Sequence, residues 1–359
     1  MKKVILSTMI ISSSLLSFGQ SAIKYPATKK IDKVDVYFGN SIPDPFRWLE
    51  DDRSAETAEW VKEQNKVTFD YLAAIPFRNT IKARMEKLWN YEKVSAPFKE
   101  GDYTYYYKNN GLQNQSVMYR KDAKGTEELF LDPNTFSKDA TTSLDGVSFS
   151  KDGSLVAYSI SEAGSDWRKV IFIDAKTKQS IGEPLVDVKF SGLSWKGNEG
   201  IFYSSYEKPK GSELSAKTDQ HRLFFHKLGT KQAEDAILFG DQEKRRYVGG
   251  YVSDDNRYLF ISAANSTSGN ELYLKYLSVP NSPIVAIHKG FEYDVDVLDN
   301  IGTTLFIVTN LKAPNKRIVT VDVANPGVEN WKDLIPETEQ VLNPSTGAGY
   351  IFANYMKDA

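Results

Sequence analysis

Between residues 147 and 174, apolar and polar positions alternate in short runs cut by turn residues. Val147 and Phe149 mark one run, Leu155-Val156-Ala157-Tyr158 a second, and residues 169–173 a third. Lys151-Asp152-Gly153 parts the first two, and a Gly after an Asp accepts the positive φ of a tight hairpin. A polar loop over residues 161–166 precedes the third. Period-two alternation between such breaks predicts antiparallel strands.

Most of the chain repeats this plan. Second strands are predicted near Tyr105, Val156, Ile201, Leu259, Leu305 and Ile351, at spacings of 51, 45, 58, 46 and 46. The middle four follow turns at Lys151-Asp152-Gly153, Lys196-Gly197-Asn198, Asp254-Asp255-Asn256 and Leu298-Asp299-Asn300. Third strands are predicted over residues 117–120, 169–173, 222–226, 271–275 and 317–321. Fourth strands are predicted over residues 128–131, 236–239 and 283–287. Four antiparallel strands every ~45–50 residues is the period of a β-propeller blade. A β-sandwich has frequent turns but no such long period. In the sixth copy, residues 350–355 supply the second strand, and a third would fall beyond Ala359. The periodicity therefore predicts an unfinished blade, in a fragment of a longer protein or one completed by a partner.

The N-terminal stretch reads differently. Residues 20–53 look extended, with charged and aromatic residues alternating densely at Asp44-Pro45-Phe46-Arg47-Trp48-Leu49-Glu50-Asp51. Trp48 and Phe46 are expected to bury against a neighbour. Ser54 is the expected cap of a helix carrying Trp60, Val61, Gln64, Val67, Thr68, Tyr71 and Leu72 at helical spacing. A second helix is predicted over residues 80–90, with Ile81, Met85, Leu88 and Trp89 on one side. Both are expected to pack on a neighbouring domain.

Composition adds three constraints. Aromatics make up 13% of the 359 residues, which suits strands. A net charge of −2 gives no case for nucleic acid or an acidic membrane surface, so neither partner is expected. The absence of cysteine excludes disulfides, thiolate catalysis and cysteine-ligated metal. Residues 1–19 read as a secretory signal, with Lys2-Lys3 before an apolar stretch and Ser17 and Gly19 before Gln20. The expected location is periplasmic or secreted, in a bacterium. The apolar run is shorter than the ~20 residues a membrane span needs.

Catalytic chemistry is sparse. There is no G-x-S-x-G; Gly192-Leu193-Ser194-Trp195-Lys196-Gly197 has one residue too many and lies on a strand hairpin. The histidines are His221, His226 and His288. None sits in a pattern that supplies a general base beside a nucleophile. No ligand spacing suggests a metal, and no phosphate loop suggests a nucleotide, so no cofactor is expected. No catalytic residue is assigned.

The run Asp44-Pro45-Phe46-Arg47-Trp48-Leu49-Glu50-Asp51 closely resembles the prolyl oligopeptidase family. The likeness continues at Trp60-Val61, Gln64-Asn65, Gly111-Leu112-Gln113-Asn114-Gln115 and Gly164-Ser165-Asp166-Trp167. It returns from His226-Lys227-Leu228-Gly229-Thr230 to Lys231-Gln232-Ala233-Glu234-Asp235. The matches run in the family's order. The resemblance implies a serine endopeptidase that cleaves short peptides after proline. Its hydrolase domain would follow a seven-bladed propeller that covers the active site. On this reading residues 20–75 form a helical arm that packs on the hydrolase domain. Residues 76–359 form roughly five and a half blades of a mostly β propeller, and the hydrolase domain with its triad is missing. One position carries over: Phe190, in Val188-Lys189-Phe190-Ser191, matches a family aromatic facing the central cavity near substrate. By pattern alone it is equally a blade-core Phe.

Two other readings remain open from the sequence. One is a non-catalytic propeller that binds peptides or glycans, since fold alone does not fix function. The other is a family member that cleaves after basic residues. The expected partners are short proline-containing peptides and the chain's own missing hydrolase domain.

Overall fold

The computed structural model describes residues 23–209 and 218–357. The expected signal at residues 1–19 lies outside them. The chain divides into two compact units, Met1–Ala83 and Arg84–Ala359, with the boundary inside a helix.

In the first unit, strands Val34–Tyr37 and Asn40–Pro43 form a hairpin. Its turn residues Phe38 and Gly39 both have positive φ, which matches the right-handed twist of paired strands. A short 3-10 turn, Arg47–Glu50, follows. Arg47 is the hub here. It reaches Asp44 at 2.6 Å and Glu50 at 3.4 Å, and also pairs with Asp35 of the hairpin. The Trp48 indole N–H donates to the Lys29 carbonyl at 2.9 Å. Phe46 is exposed on this chain, with Lys30 over its ring. The arginine network and the Trp48 hydrogen bond set the turn, and Phe46 is left on its outer side.

Helix α1 (Ala55–Ala73) starts where expected: the Ser54 hydroxyl accepts the Thr57 N–H at 3.0 Å. Helix α2 (Arg78–Trp89) follows. Their apolar residues Val61, Phe69, Ile81, Met85, Leu88 and Trp89 are exposed.

The second unit is a succession of antiparallel sheets in chain order. In the first, Lys93–Val94 and Phe98–Glu100 both pair with Tyr103–Asn109, which is followed by Val117–Lys121 and Glu127–Leu131. The second is Thr142–Phe149, Leu155–Glu162, Trp167–Asp174 and Leu185–Lys189. The third is Ser194–Lys196, Gly200–Ser205, Arg222–Lys227 and Ala236–Phe239. The fourth is Tyr247–Val252, Tyr258–Ala264, Glu271–Tyr276 and Ile284–His288. The fifth is Val295–Ile301, Thr304–Thr309, Arg317–Asp322 and Lys332–Ile335. The sixth has two described strands, Leu342–Gly347 and Tyr350–Tyr355. The molecule is thus mostly β with few helices.

Packing explains the apolar runs. Each of the second strands in the second to fourth sheets is buried on both faces. Val156 packs with Tyr105, Met118 and Phe130 of the first sheet, while Ala157 packs with Trp195 and Ile201 of the third. In the fourth sheet Leu259 and Ile261 meet Phe202 and Leu223, while Tyr258 and Phe260 meet Val295 and Leu305. Successive side chains of a strand point to opposite faces, so neighbouring residues enter different cores. Arg120 joins the first two sheets. It is 1% exposed, pairs with Glu128 at 2.6 Å, donates to Lys176 O at 3.1 Å and lies over Tyr103.

Two local expectations are corrected. The turn expected at Leu298-Asp299-Asn300 is strand: a register shift between Val297 and Asp299 carries it on to Ile301, and Gly302-Thr303 turn instead. Gly302 has φ +60, which a glycine adopts without strain. The loop expected over residues 161–166 is shorter, because the flanking strands extend to Glu162 and from Trp167.

Candidate functional site

Phe190 directly follows the outer strand of the second sheet. It is half exposed and has φ +53. Its ring meets Tyr206 edge-on at 6.3 Å and Tyr247 at 6.2 Å. Tyr206 follows the second strand of the third sheet, and Tyr247 opens the fourth sheet. Three consecutive sheets thus bring aromatic rings to one point.

Lys189 stands beside Phe190 and is 6% exposed. Its ammonium sits 4.9 Å from the Trp167 ring centre and 5.1 Å from that of Phe190. Lys208 approaches the same Trp167 ring at 5.8 Å and pairs with Asp187 at 2.8 Å. Arg246 lies over Tyr247 at 5.6 Å. Asp187, like Phe190, has a positive φ, +54. Non-glycine residues in that region are uncommon and gather at functional sites.

His221 pins this corner from below. It is fully buried and stacks on Tyr206 at 4.2 Å. Its Nδ1 accepts the Val248 N–H at 2.8 Å, which leaves Nε2–H to donate to the Lys189 carbonyl at 2.9 Å. One neutral imidazole thereby ties the second sheet to the fourth across the third. Burial holds its pKa down to about 4. A cavity of about 350 Å³ borders the cluster and shares Asp187 and Tyr206 with it.

The other candidates are structural. His226 Nδ1–H donates to Asp235 at 2.9 Å, and Tyr203 O–H donates to the other oxygen of Asp235 at 2.9 Å. This His–Asp pair is enclosed and stacked on Phe172, with no serine hydroxyl among its described partners. Ser194 is on a strand and its Oγ accepts the Val252 N–H at 2.8 Å. His288 is buried, which lowers its pKa. Among the described residues no cluster of three metal-ligating side chains occurs. A cavity of about 650 Å³ between the third and fourth sheets contains Arg245, already matched by Glu243 and Glu271.

Sequence reasoning reached Phe190 but not Lys189, His221, Tyr206 or Tyr247. No local motif links them, since they are spread over residues 189–247 and meet only when the sheets stack.

Residues 26–359 match the family model described as the prolyl oligopeptidase N-terminal beta-propeller domain. The chain is 57% identical over 341 residues to a prolyl endopeptidase of Elizabethkingia meningoseptica, covering 94% of this chain and 48% of that protein. It is 31% identical to prolyl oligopeptidase A of Amanita bisporigera, over 87% of this chain and 46% of that one. The chain thus spans about half the length of these relatives. Among solved structures, prolyl oligopeptidase B of Galerina marginata, bound to a 35mer hydrolysis and macrocyclization substrate, superposes with a TM-score of 0.79. The identity is 25%, and the match covers 94% of this chain and 52% of that one.

Proposed function

Because the chain belongs to the prolyl oligopeptidase family, we propose that it is the propeller-bearing part of a secreted serine endopeptidase that cleaves short peptides after proline. The observation that carries this reading is the 57% identity to a prolyl endopeptidase across nearly all of this chain. In this reading the sheets are about five and a half of seven blades, and they screen access to the reacting bond. Residues 20–75 are an arm for a hydrolase domain, and the exposed apolar residues of α1, Val61 and Phe69 among them, support that role. Phe190 borders the substrate.

Hydrolysis needs a nucleophile, a base and an oxyanion hole within hydrogen-bond reach of one another. The described histidines are held in Lys189–Val248 and Asp235 contacts or buried without a nucleophile among their described partners. The triad is therefore assigned to a hydrolase domain outside these 359 residues. The purified 359-residue chain should release no reporter group from a blocked Gly-Pro substrate and should not react with a fluorophosphonate probe. The protein exported from its native gene should do both and should begin near Gln20. A labelled serine in the short chain, or a native product inert to Gly-Pro substrates, would overturn the assignment.

A further inference from the structure

The Lys189 ammonium is the group the fold does not account for. Lysine is almost never this buried unless paired. A buried charge ordinarily finds a counter-charge and hydrogen bonds. Among the described residues, Lys189 has neither an ion pair nor a hydrogen bond from its Nζ; its recorded neighbours are the faces of Trp167 and Phe190. Those faces steady a cation, while Nζ itself is not among the sealed unpaired polar atoms, so its N–H donors remain open to solvent or a ligand. The nearby carboxylate, Asp187, is taken by Lys208. Arg246 adds a second cation with no described carboxylate partner.

The position is also built rather than incidental. His221 holds the Lys189 carbonyl, and the residues two before and one after Lys189 carry positive φ. Phe190 is half exposed, so this corner opens to solvent. We propose that Lys189, walled by Trp167 and Phe190, is a binding subsite for a carboxylate of the peptide substrate. The carboxylate would accept charge-assisted hydrogen bonds from Nζ, and Arg246 would add to the local positive field. This rests on the peptide-processing reading above and names a charge preference within it.

A carboxylate reaches the site from an acidic side chain before the proline or from a free C-terminus. Three peptides separate these sources: acetyl-Gln-Gly-Pro-Gln-amide, acetyl-Glu-Gly-Pro-Gln-amide, and acetyl-Gln-Gly-Pro-Gln with a free C-terminal carboxylate. They are titrated into the 359-residue chain by calorimetry. At least one carboxylate peptide should bind about tenfold tighter than the neutral one, and which one does identifies the source. Lys189→Met should abolish that advantage, Lys189→Arg should keep most of it, and Lys62→Met on α1 should leave it intact as a control for net charge. In the unmodified protein, the favoured peptide should also shift the Trp167 indole N–H resonance, and this readout needs no variant to fold. Equal affinity for all three peptides, or an advantage that survives Lys189→Met, would overturn the subsite while leaving proline recognition standing. Binding of the carboxylate peptides without the neutral one would support the subsite and count against proline recognition by this chain. Binding of none would overturn the subsite, whatever the hydrolysis assay shows.

Discussion

His221 is a base kept neutral by its surroundings. Burial lowers its pKa to about 4 from an ordinary 6.5, because the imidazolium would lose its hydration. The unfolded chain therefore takes up the proton first. The stability tied to the neutral ring is fully present above pH 6.5 and is lost progressively as the pH falls toward 4. Between pH 7 and pH 5 this amounts to about 2 kcal/mol. His221→Phe keeps a ring to stack on Tyr206 but leaves Val248 N–H and the Lys189 carbonyl unpaired. At pH 7 the variant should be less stable by about 2–3 kcal/mol. By pH 5 the gap should nearly close, because the variant has no imidazole to protonate. Urea unfolding at the two pH values measures this, and a gap that stays constant would contradict it. His288 titrates in both proteins and cancels in the comparison.

At the scale of elements, a side-chain latch recurs between sheets. Asp152, in the first hairpin of the second sheet, accepts from Ser150, from Ser154 and from Asn198 of the third sheet, the last at 2.7 Å. Asp255, in the first hairpin of the fourth sheet, accepts from Ser253, from the Arg257 N–H and from Asn300 of the fifth, the last at 2.8 Å. These hydrogen bonds hold the Asp152 carboxyl well below the usual carboxylate range and also lower that of Asp255. The extended strand past Leu298 is what brings Asn300 to Asp255. A double-mutant cycle on Asp255→Ala and Asn300→Ala should show a coupling of about 1 kcal/mol. Strict additivity would mean that the contact contributes nothing to docking the two sheets.

At the scale of the whole propeller unit, order should follow how many sheets flank each strand. Val156 and Ala157 are fully buried and enter two different cores. In the sixth sheet Leu342 is buried, but Tyr350 is 70% and Phe352 51% exposed. Stability in stacked repeats depends on intact neighbours, and amide exchange reports local opening. In the 359-residue chain, Ile351 and Phe352 should exchange about 100-fold faster or more than Val156 and Ala157. Equal protection would show that the sixth sheet is as firmly held as the second.

The periodicity of the chain was enough to locate the second strands and the third strands of five sheets; the second strands of the second to fourth sheets are buried on both faces and so need long apolar runs. The α1 cap at Ser54 was equally legible, since one hydroxyl and the next turn of backbone decide it. The first strand Tyr247–Val252, with Gly249 and Gly250, and the outer strand Lys332–Ile335 were not, although the outer strands near residues 128–131, 236–239 and 283–287 were. They are short, glycine-bearing or exposed, and only pairing with a neighbour makes them strands. The site divides along the same line. Phe190 could be singled out by resemblance, but the burial of Lys189 between two rings could not. Neither could the bridge that His221 makes from Lys189 to Val248. Those contacts span tens of residues and two sheet boundaries, and local sequence carries no record of them until stacked sheets bring the residues within reach.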